Sequence, residues 1–157
     1  MNAGRVLLVD DEESVRSVLR EYLTEFGYEV TTAEDGQDAL KQFKSGTFEC
    51  VISDMMMPRM DGLELLNMIR VQDKRVPFLM ITGYPSIDSA VNAIKEGAYD
   101  YITKPFHMDD IRLKLERAIG VRKKEEALQR MTGLFWALII SIPVWLVLGV
   151  VLGVIWK

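Results

Sequence analysis

One histidine, one cysteine, five prolines and no low-complexity stretch mark this 157-residue chain by what is scarce in it. A single cysteine excludes an internal disulfide. Cys50 sits in the apolar run Cys50-Val51-Ile52, where a buried and inert thiol is expected. Nothing in the composition requires an oxidising compartment. The apolar run Val6 to Val9 is too short for an export leader and ends in acids. No internal repeat is visible. The length suits one domain plus an appendage. Residues 1–120 carry 14 Lys+Arg against 21 Asp+Glu, a net −7, and residues 121–157 carry +3. An acidic body argues against nucleic-acid binding.

What is present is an alternation. Short apolar runs at Arg5–Asp10, Tyr28–Ala33, Glu49–Asp54, Pro77–Thr82 and Asp100–Thr103 are rich in Val, Ile and Leu, as strands buried on both faces should be. Between them lie Ser14–Phe26, Gln37–Lys44, Leu63–Val71, Ile87–Glu96 and Asp109–Ile119, whose apolar residues recur at steps of three and four. Gly27, Gly46 and Gly97 follow three of these stretches as helix C-caps. Asp35-Gly36 and Pro85-Ser86 are helix start signals. Asp109 to about Arg130 reads as one helix or two in series, with Gly120 as a hinge. Five strands alternating with five helices predict an α/β fold with a parallel sheet covered on both faces. In such sheets the site lies at the carboxyl ends of the strands, which directs attention to Asp10-Asp11, Asp54, Thr82 and Thr103-Lys104.

Three carboxylates converging at neighbouring strand ends stay ionised together only with a cation among them. Oxygen donors favour Mg²⁺ over Zn²⁺, and no His or Cys is near to suggest a transition metal. Asp11 or Glu12 alone would pass for a helix N-cap acid. Their conjunction with Asp54 and Lys104 would not.

The segments LLVDDEE, ISDMMMPRMDGLELL and MITGYPSIDSAVNAIKEGAYDYITKPF resemble the receiver domains of two-component response regulators, the last of them the nitrogen-regulation class. The resemblance covers about residues 4–120. It implies a flavodoxin-like sheet of strand order 2-1-3-4-5. It implies a phosphoacceptor signalling protein rather than an enzyme, catalysing only its own Mg²⁺-dependent phosphoryl uptake and loss. Asp54 would take the phosphoryl group from a partner sensor histidine kinase or phosphotransfer protein. Asp11 and Asp54 would ligate Mg²⁺ directly, Asp10 through water, and the backbone carbonyl of Met56 would complete the set. Thr82 would hydrogen-bond the phosphoryl group and Lys104 would pair with it. The Lys104-Pro105 peptide is expected to be cis. The chemistry is coherent: a carboxylate is a weak nucleophile that needs an activated donor, and cationic groups offset charge on the phosphoryl oxygens. Thr82 moving toward the phosphoryl group and Tyr101 filling the space behind it would form the switch. Met56 and Tyr84 would flank the route of hydrolytic water. Gly83 stands where the family more often has Ala. His107 reads as a surface or capping residue, so the phosphodonor must be another molecule.

From Leu134 to Trp156 run 23 residues without charge. At about 1.5 Å per residue they would cross a hydrocarbon core roughly 30 Å thick. Arg122, Lys123, Lys124 and Arg130 precede the run and only Lys157 follows, which would place the receiver in the cytoplasm. The expected organisation is a receiver domain at 1–120, a basic helical linker at 121–133 and a single-pass transmembrane helix at 134–156, a tail anchor to a membrane. Gly149 and Gly153 form a GxxxG motif that would permit a homodimer. The function expected is a membrane-tethered response regulator in phosphorelay signal transduction whose output is protein contact. Its rivals are a phosphate sink or relay and a phosphorylation-independent membrane adaptor. A DNA-binding regulator is disfavoured because no helix-turn-helix region follows residue 120.

Overall fold

The computed structural model describes residues 4–155, with side chains described as far as Ile140 except Leu134 and Leu138. Five strands and five helices alternate: β1 (Gly4–Val9), α1 (Glu13–Glu25), β2 (Tyr28–Ala33), α2 (Gly36–Gln42), β3 (Cys50–Asp54), α3 (Gly62–Gln72), β4 (Phe78–Thr82), α4 (Ile87–Lys95), β5 (Asp100–Thr103) and α5 (Met108–Ile155). The chain divides into two compact units, Met1–Arg122 and Lys123–Lys157. In the first unit every strand pair is parallel and the order is β2-β1-β3-β4-β5, the flavodoxin-like arrangement.

The strands read as continuous apolar runs because each of their faces is covered. Side chains alternate across a strand. Leu7 and Val9 of β1 therefore enter one core with Val51, Phe78 and Met80, against Leu65, Leu66 and Ile69 of α3. Val6 and Leu8 enter the other with Cys50, Ile52, Leu79 and Ile81, against Leu19 and Leu23 of α1 and Ile111 and Leu115 of α5. Cys50 is fully buried, and burial pushes its thiol far above the ordinary range, so it is inert. The turns follow local chemistry. Asp35 and Ser86 cap α2 and α4 through their side chains, and Asp61 closes a capping box with Glu64 on α3. Gly27, Gly46 and Gly97 all take positive φ, a conformation that costs glycine least.

Two expectations need correction. Gly120 is no hinge between two helices, since α5 carries on through it. The larger correction concerns the stretch Leu134–Trp156. Among the described residues no helix is long and apolar enough to cross a membrane. The helix that holds this stretch as far as Ile155 is α5, which starts in charged sequence at Met108 and includes Arg122, Lys123, Lys124, Glu125, Glu126 and Arg130. The transmembrane helix and the single-pass anchored location fall together. Trp156 lies outside the described residues, as do the side chains of Gly149-Val150-Val151-Leu152-Gly153.

Asp73, the C-cap of α3, organises the edge of the sheet opposite the carboxyl strand ends discussed below. Its carboxylate accepts from Arg75 N at 2.9 Å, Val76 N at 3.0 Å, Gly46 N at 3.3 Å and the Ser45 hydroxyl at 3.2 Å. Burial works to raise its pKa, and the backbone N–H groups of Arg75, Val76 and Gly46 more than offset this, so the net shift is downward. A carboxyl with a depressed folded pKa stabilises the fold above its unfolded pKa, and that contribution is lost as pH falls through the folded value. Asp73→Asn is therefore expected to cost about 1–3 kcal/mol at neutral pH. The difference from wild type should narrow below about pH 4, where the unfolded carboxyl protonates. Urea unfolding at pH 7 and pH 3 measures both.

Candidate functional site

The strand order reverses its direction of growth at β1, whose neighbours are β2 on one side and β3 on the other. Such a switch point opens a crevice at the carboxyl ends of the two central strands. Asp10 follows the last residue of β1, Asp54 is the last residue of β3, Thr82 the last of β4, and Lys104 follows the last of β5. The parallel register sets Val9 beside Ser53, Asp54 beside Ile81 and Thr82 beside Thr103, so these ends are level. Sequence positions nearly a hundred residues apart thus meet in one crevice.

Asp10, Asp11 and Asp54 each offer a carboxylate oxygen, all within 4.8 Å of one another. Asp10 and Asp54 are buried and Asp11 is exposed, so the group opens to solvent on one side. The Lys104 ammonium donates to Asp54 at 2.8 Å and to Asp10 at 3.0 Å, and lies 3.6 Å from Glu12. Burial raises the Asp10 pKa above the ordinary value, and hydrogen bonds from Lys104 and the Glu12 backbone N–H offset only part of the rise. Burial acts against the Lys104 charge as well, but the hydrogen bonds and charges of Asp54 and Asp10 outweigh it, and its pKa is raised. The ammonium therefore stays charged, and its single positive charge, shared between Asp54 and Asp10, does not balance three carboxylates. The remaining negative charge, on oxygen donors alone and beside an open face, suits a hard divalent cation such as Mg²⁺.

The other expected site residues lie around this cluster. The Thr82 side chain is buried, and its hydroxyl accepts from the Tyr84 N–H at 3.2 Å. Met56 donates its N–H to the Asp54 carboxylate at 3.4 Å, and the Met56 and Tyr84 side chains stand out into solvent. A Cβ at Gly83 would come no closer than 4.0 Å to Lys104 Cδ, so an alanine would fit there. Tyr101 is half-buried against the core on the α4 side, with its phenol oxygen 2.9 Å from Ser89 Oγ. The Lys104-Pro105 peptide is cis. His107 is exposed, and its carbonyl accepts the N–H groups of Asp110 and Ile111 at the start of α5.

A family model described as the response regulator receiver domain matches residues 6–116. The chain belongs to that family. It is 38% identical over 126 residues to the DNA-binding transcriptional regulator NtrC of Escherichia coli K12, covering 80% of this chain and 27% of the relative. It is 34% identical over 128 residues to the regulatory protein AtoC of the same organism, 82% of this chain and 28% of the relative. The chain thus spans only about a quarter of the length of the curated relatives it matches. Among solved structures, a receiver domain protein from Clostridium thermocellum superposes with a TM-score of 0.73 at 30% identity, covering 76% of this chain and 96% of that one. The beryllofluoride-activated NtrC4 receiver domain dimer superposes with a TM-score of 0.71 at 38% identity, covering 75% and 98%. Receiver domains are phosphoacceptor signalling domains rather than classical enzymes. They take a phosphoryl group on an aspartate in two-component signalling, are phosphorylated by histidine kinases, and bind Mg²⁺ through acidic residues.

Three contributors to the receiver site carry no chemical signal in the sequence. The Glu12 N–H donates to Asp10 at 2.8 Å and Arg16 donates to the Asp10 carbonyl, so the first turn of α1 holds the acidic loop. Gly62 opens α3 directly behind the acceptor strand. A Cβ there would meet the Asp54 carbonyl oxygen at 2.2 Å and Met80 Sδ at 2.9 Å. Gly62→Ala is expected to destabilise by about 1–3 kcal/mol through overpacking. Because the clash is with the Asp54 backbone, it should also slow phosphoryl uptake in molecules that remain folded. Thermal unfolding and uptake from a small phosphodonor measure the two effects.

Proposed function

We propose that this chain is a phosphorelay receiver in which Asp54 takes a phosphoryl group from a phosphohistidine of a sensor histidine kinase or phosphotransfer protein. The observation that carries the reading is the Asp54 carboxylate at a strand end, 2.8 Å from the Lys104 ammonium and grouped with Asp10 and Asp11. An Asp54 carboxylate oxygen attacks phosphorus. The P–N bond breaks, its electron pair stays on the imidazole nitrogen, and an acyl phosphate forms on Asp54. Asp10, Asp11, Asp54 and the Met56 carbonyl would hold Mg²⁺, whose charge, when bound, offsets that of the phosphoryl oxygens. Lys104 neutralises another of these oxygens from the β5 side. The Thr82 hydroxyl turns from Tyr84 to donate to a third. Tyr101 moves in response, and the changed α4–β5 surface engages a protein partner. The Met56 and Tyr84 side chains shield the acyl phosphate from water.

Residues 1–120 form the receiver in this reading, and 121–133 a basic helical linker. The likeness to the activated NtrC4 receiver dimer supports a second copy of this chain as one partner. The test is transfer of a labelled phosphoryl group from a small phosphodonor with Mg²⁺, followed by peptide mapping. Label on the peptide holding Asp54 supports the reading, and label elsewhere overturns it.

A further inference from the structure

The loop between β3 and α3 holds a backbone conformation that its residue types do not favour. Arg59 has a φ of 66°, and it is the one non-glycine residue with positive φ among the described residues. A side chain makes that region unfavourable. The Met60 N–H donates to the Pro58 carbonyl at 2.7 Å, which closes a γ-turn of the rarer kind around Arg59. Such a turn persists only where its surroundings hold it. Two contacts with the β2–α2 turn do so. The Gly36 N–H donates to the Met60 carbonyl at 3.2 Å, and a Cβ at Gly36 would meet Met60 Cγ at 2.6 Å, so the two loops touch closely. The Arg59 guanidinium makes the second contact. It donates to Glu34 at 2.7 Å and, through Nε, to Asp35. Asp35 is buried, and it also accepts the Asp38 N–H at 2.7 Å.

We propose that Arg59 is a positioning residue for the cation site. Its pairing with Glu34 and Asp35 fixes the left-handed turn and, through it, the place of the Met56 carbonyl. The inference rests on the reading of that carbonyl as a Mg²⁺ ligand. Only Met57 and Pro58 separate Met56 from Arg59. Both are restricted, because proline fixes its own φ and narrows the choices of the residue before it. The other end of the loop is anchored by the backbone. The Met55 N–H donates to the Ile81 carbonyl at 2.7 Å, and the Met55 carbonyl accepts the Gly62 N–H at 2.9 Å. Met56 therefore stands between one fixed end and the Arg59 turn. A carboxylate side chain can reorient toward a cation, whereas a main-chain carbonyl moves only with its loop. That ligand depends on whatever holds the loop.

The test is a Mg²⁺ titration of the full chain, followed by NMR on the backbone amide signals of Met56 and Met57. Arg59→Gly removes the guanidinium and suits a positive φ. A simple charge effect predicts tighter binding, since a cation near the site is lost. Relief of the backbone alone predicts unchanged binding. Positioning predicts the opposite sign, an affinity about tenfold weaker, as when a group that orients a metal ligand is removed. In a chain carrying Glu34→Gln and Asp35→Asn, where asparagine still caps α2, Arg59→Gly should no longer weaken binding. Without Mg²⁺, hydrogen exchange of the Gly36 amide should speed up in Arg59→Gly, because its acceptor is the Met60 carbonyl. The inference is overturned if Arg59→Gly binds Mg²⁺ as well as wild type or better, if Gly36 exchange is unchanged, or if binding weakens equally in the doubly substituted background. Absence of Mg²⁺ binding in wild type would sink the metal site of the proposed function and this inference with it. Normal wild-type binding that Arg59→Gly leaves unchanged would sink the positioning alone.

Discussion

Asp54→Ala is expected to abolish phosphoryl incorporation, a loss of about 10³-fold or more, because the side chain that forms the new bond is gone. The neighbouring carboxylates should not substitute for it. Asp10 is buried and tied to Lys104 at 3.0 Å and to the Glu12 N–H at 2.8 Å. Asp11 is exposed and, among the described residues, has no ammonium beside it in the way Asp54 has. The variant should still fold. Removing one of three mutually repelling carboxylates leaves Lys104 paired with Asp10, so the melting temperature should hold or rise. Asp54→Asn keeps the shape of the side chain and should show the same loss. The measurement is label incorporated with Mg²⁺ and a small phosphodonor, beside a thermal melt. Incorporation in a folded Asp54→Ala chain at more than a few per cent of wild type would move the acceptor to another residue.

Lys104→Met should separate two roles that a static view of the site merges. The ammonium neutralises Asp10 and Asp54 in the described structure, and in the proposed reaction it neutralises a phosphoryl oxygen. Uptake is expected to fall about 10²–10³-fold, the scale for losing one preorganised electrostatic contact. Mg²⁺ binding should not fall with it, because the carboxylates lose a competing cation. Titration calorimetry would show an affinity equal to or tighter than that of wild type. In the absence of Mg²⁺ the variant should be less stable by up to about 3–5 kcal/mol, since Asp10 is left buried without its partner. The pH dependence has a definite sign. Burial already raises the Asp10 pKa, and Lys104 is among the groups that lower it. A folded pKa raised further means that the penalty is greatest at neutral pH and shrinks as pH falls and Asp10 takes up a proton. Weaker Mg²⁺ binding in this variant would show instead that Lys104 is needed to assemble the acidic group.

The alternation of apolar runs with helical spacing located all five strands and the first four helices to within two residues at each end. This was possible because a parallel sheet covered on both faces imposes unbroken Val, Ile and Leu runs, and because Asp35, Ser86, Gly27, Gly46 and Gly97 meet local needs of caps and turns. The acidic group was legible for a similar reason, since chemistry-bearing residues at strand ends converge in any such sheet. The expected membrane span at 134–156 did not hold, since among the described residues no helix is long and apolar enough to cross a membrane. Gly62 and Arg59 were not legible as parts of the site, because their roles depend on which neighbours they meet. The missing side chain of Gly62 matters only because the Asp54 carbonyl lies 2.2 Å from where a Cβ would stand. Arg59 matters only because the β2–α2 turn brings Glu34 and Asp35 beside it. Residue type, order and period by themselves determined the layered sheet and the residues at its carboxyl edge. Close approach and the sharing of hydrogen-bond partners were decided only by the tertiary structure, because they depend on distances between segments that no local pattern encodes.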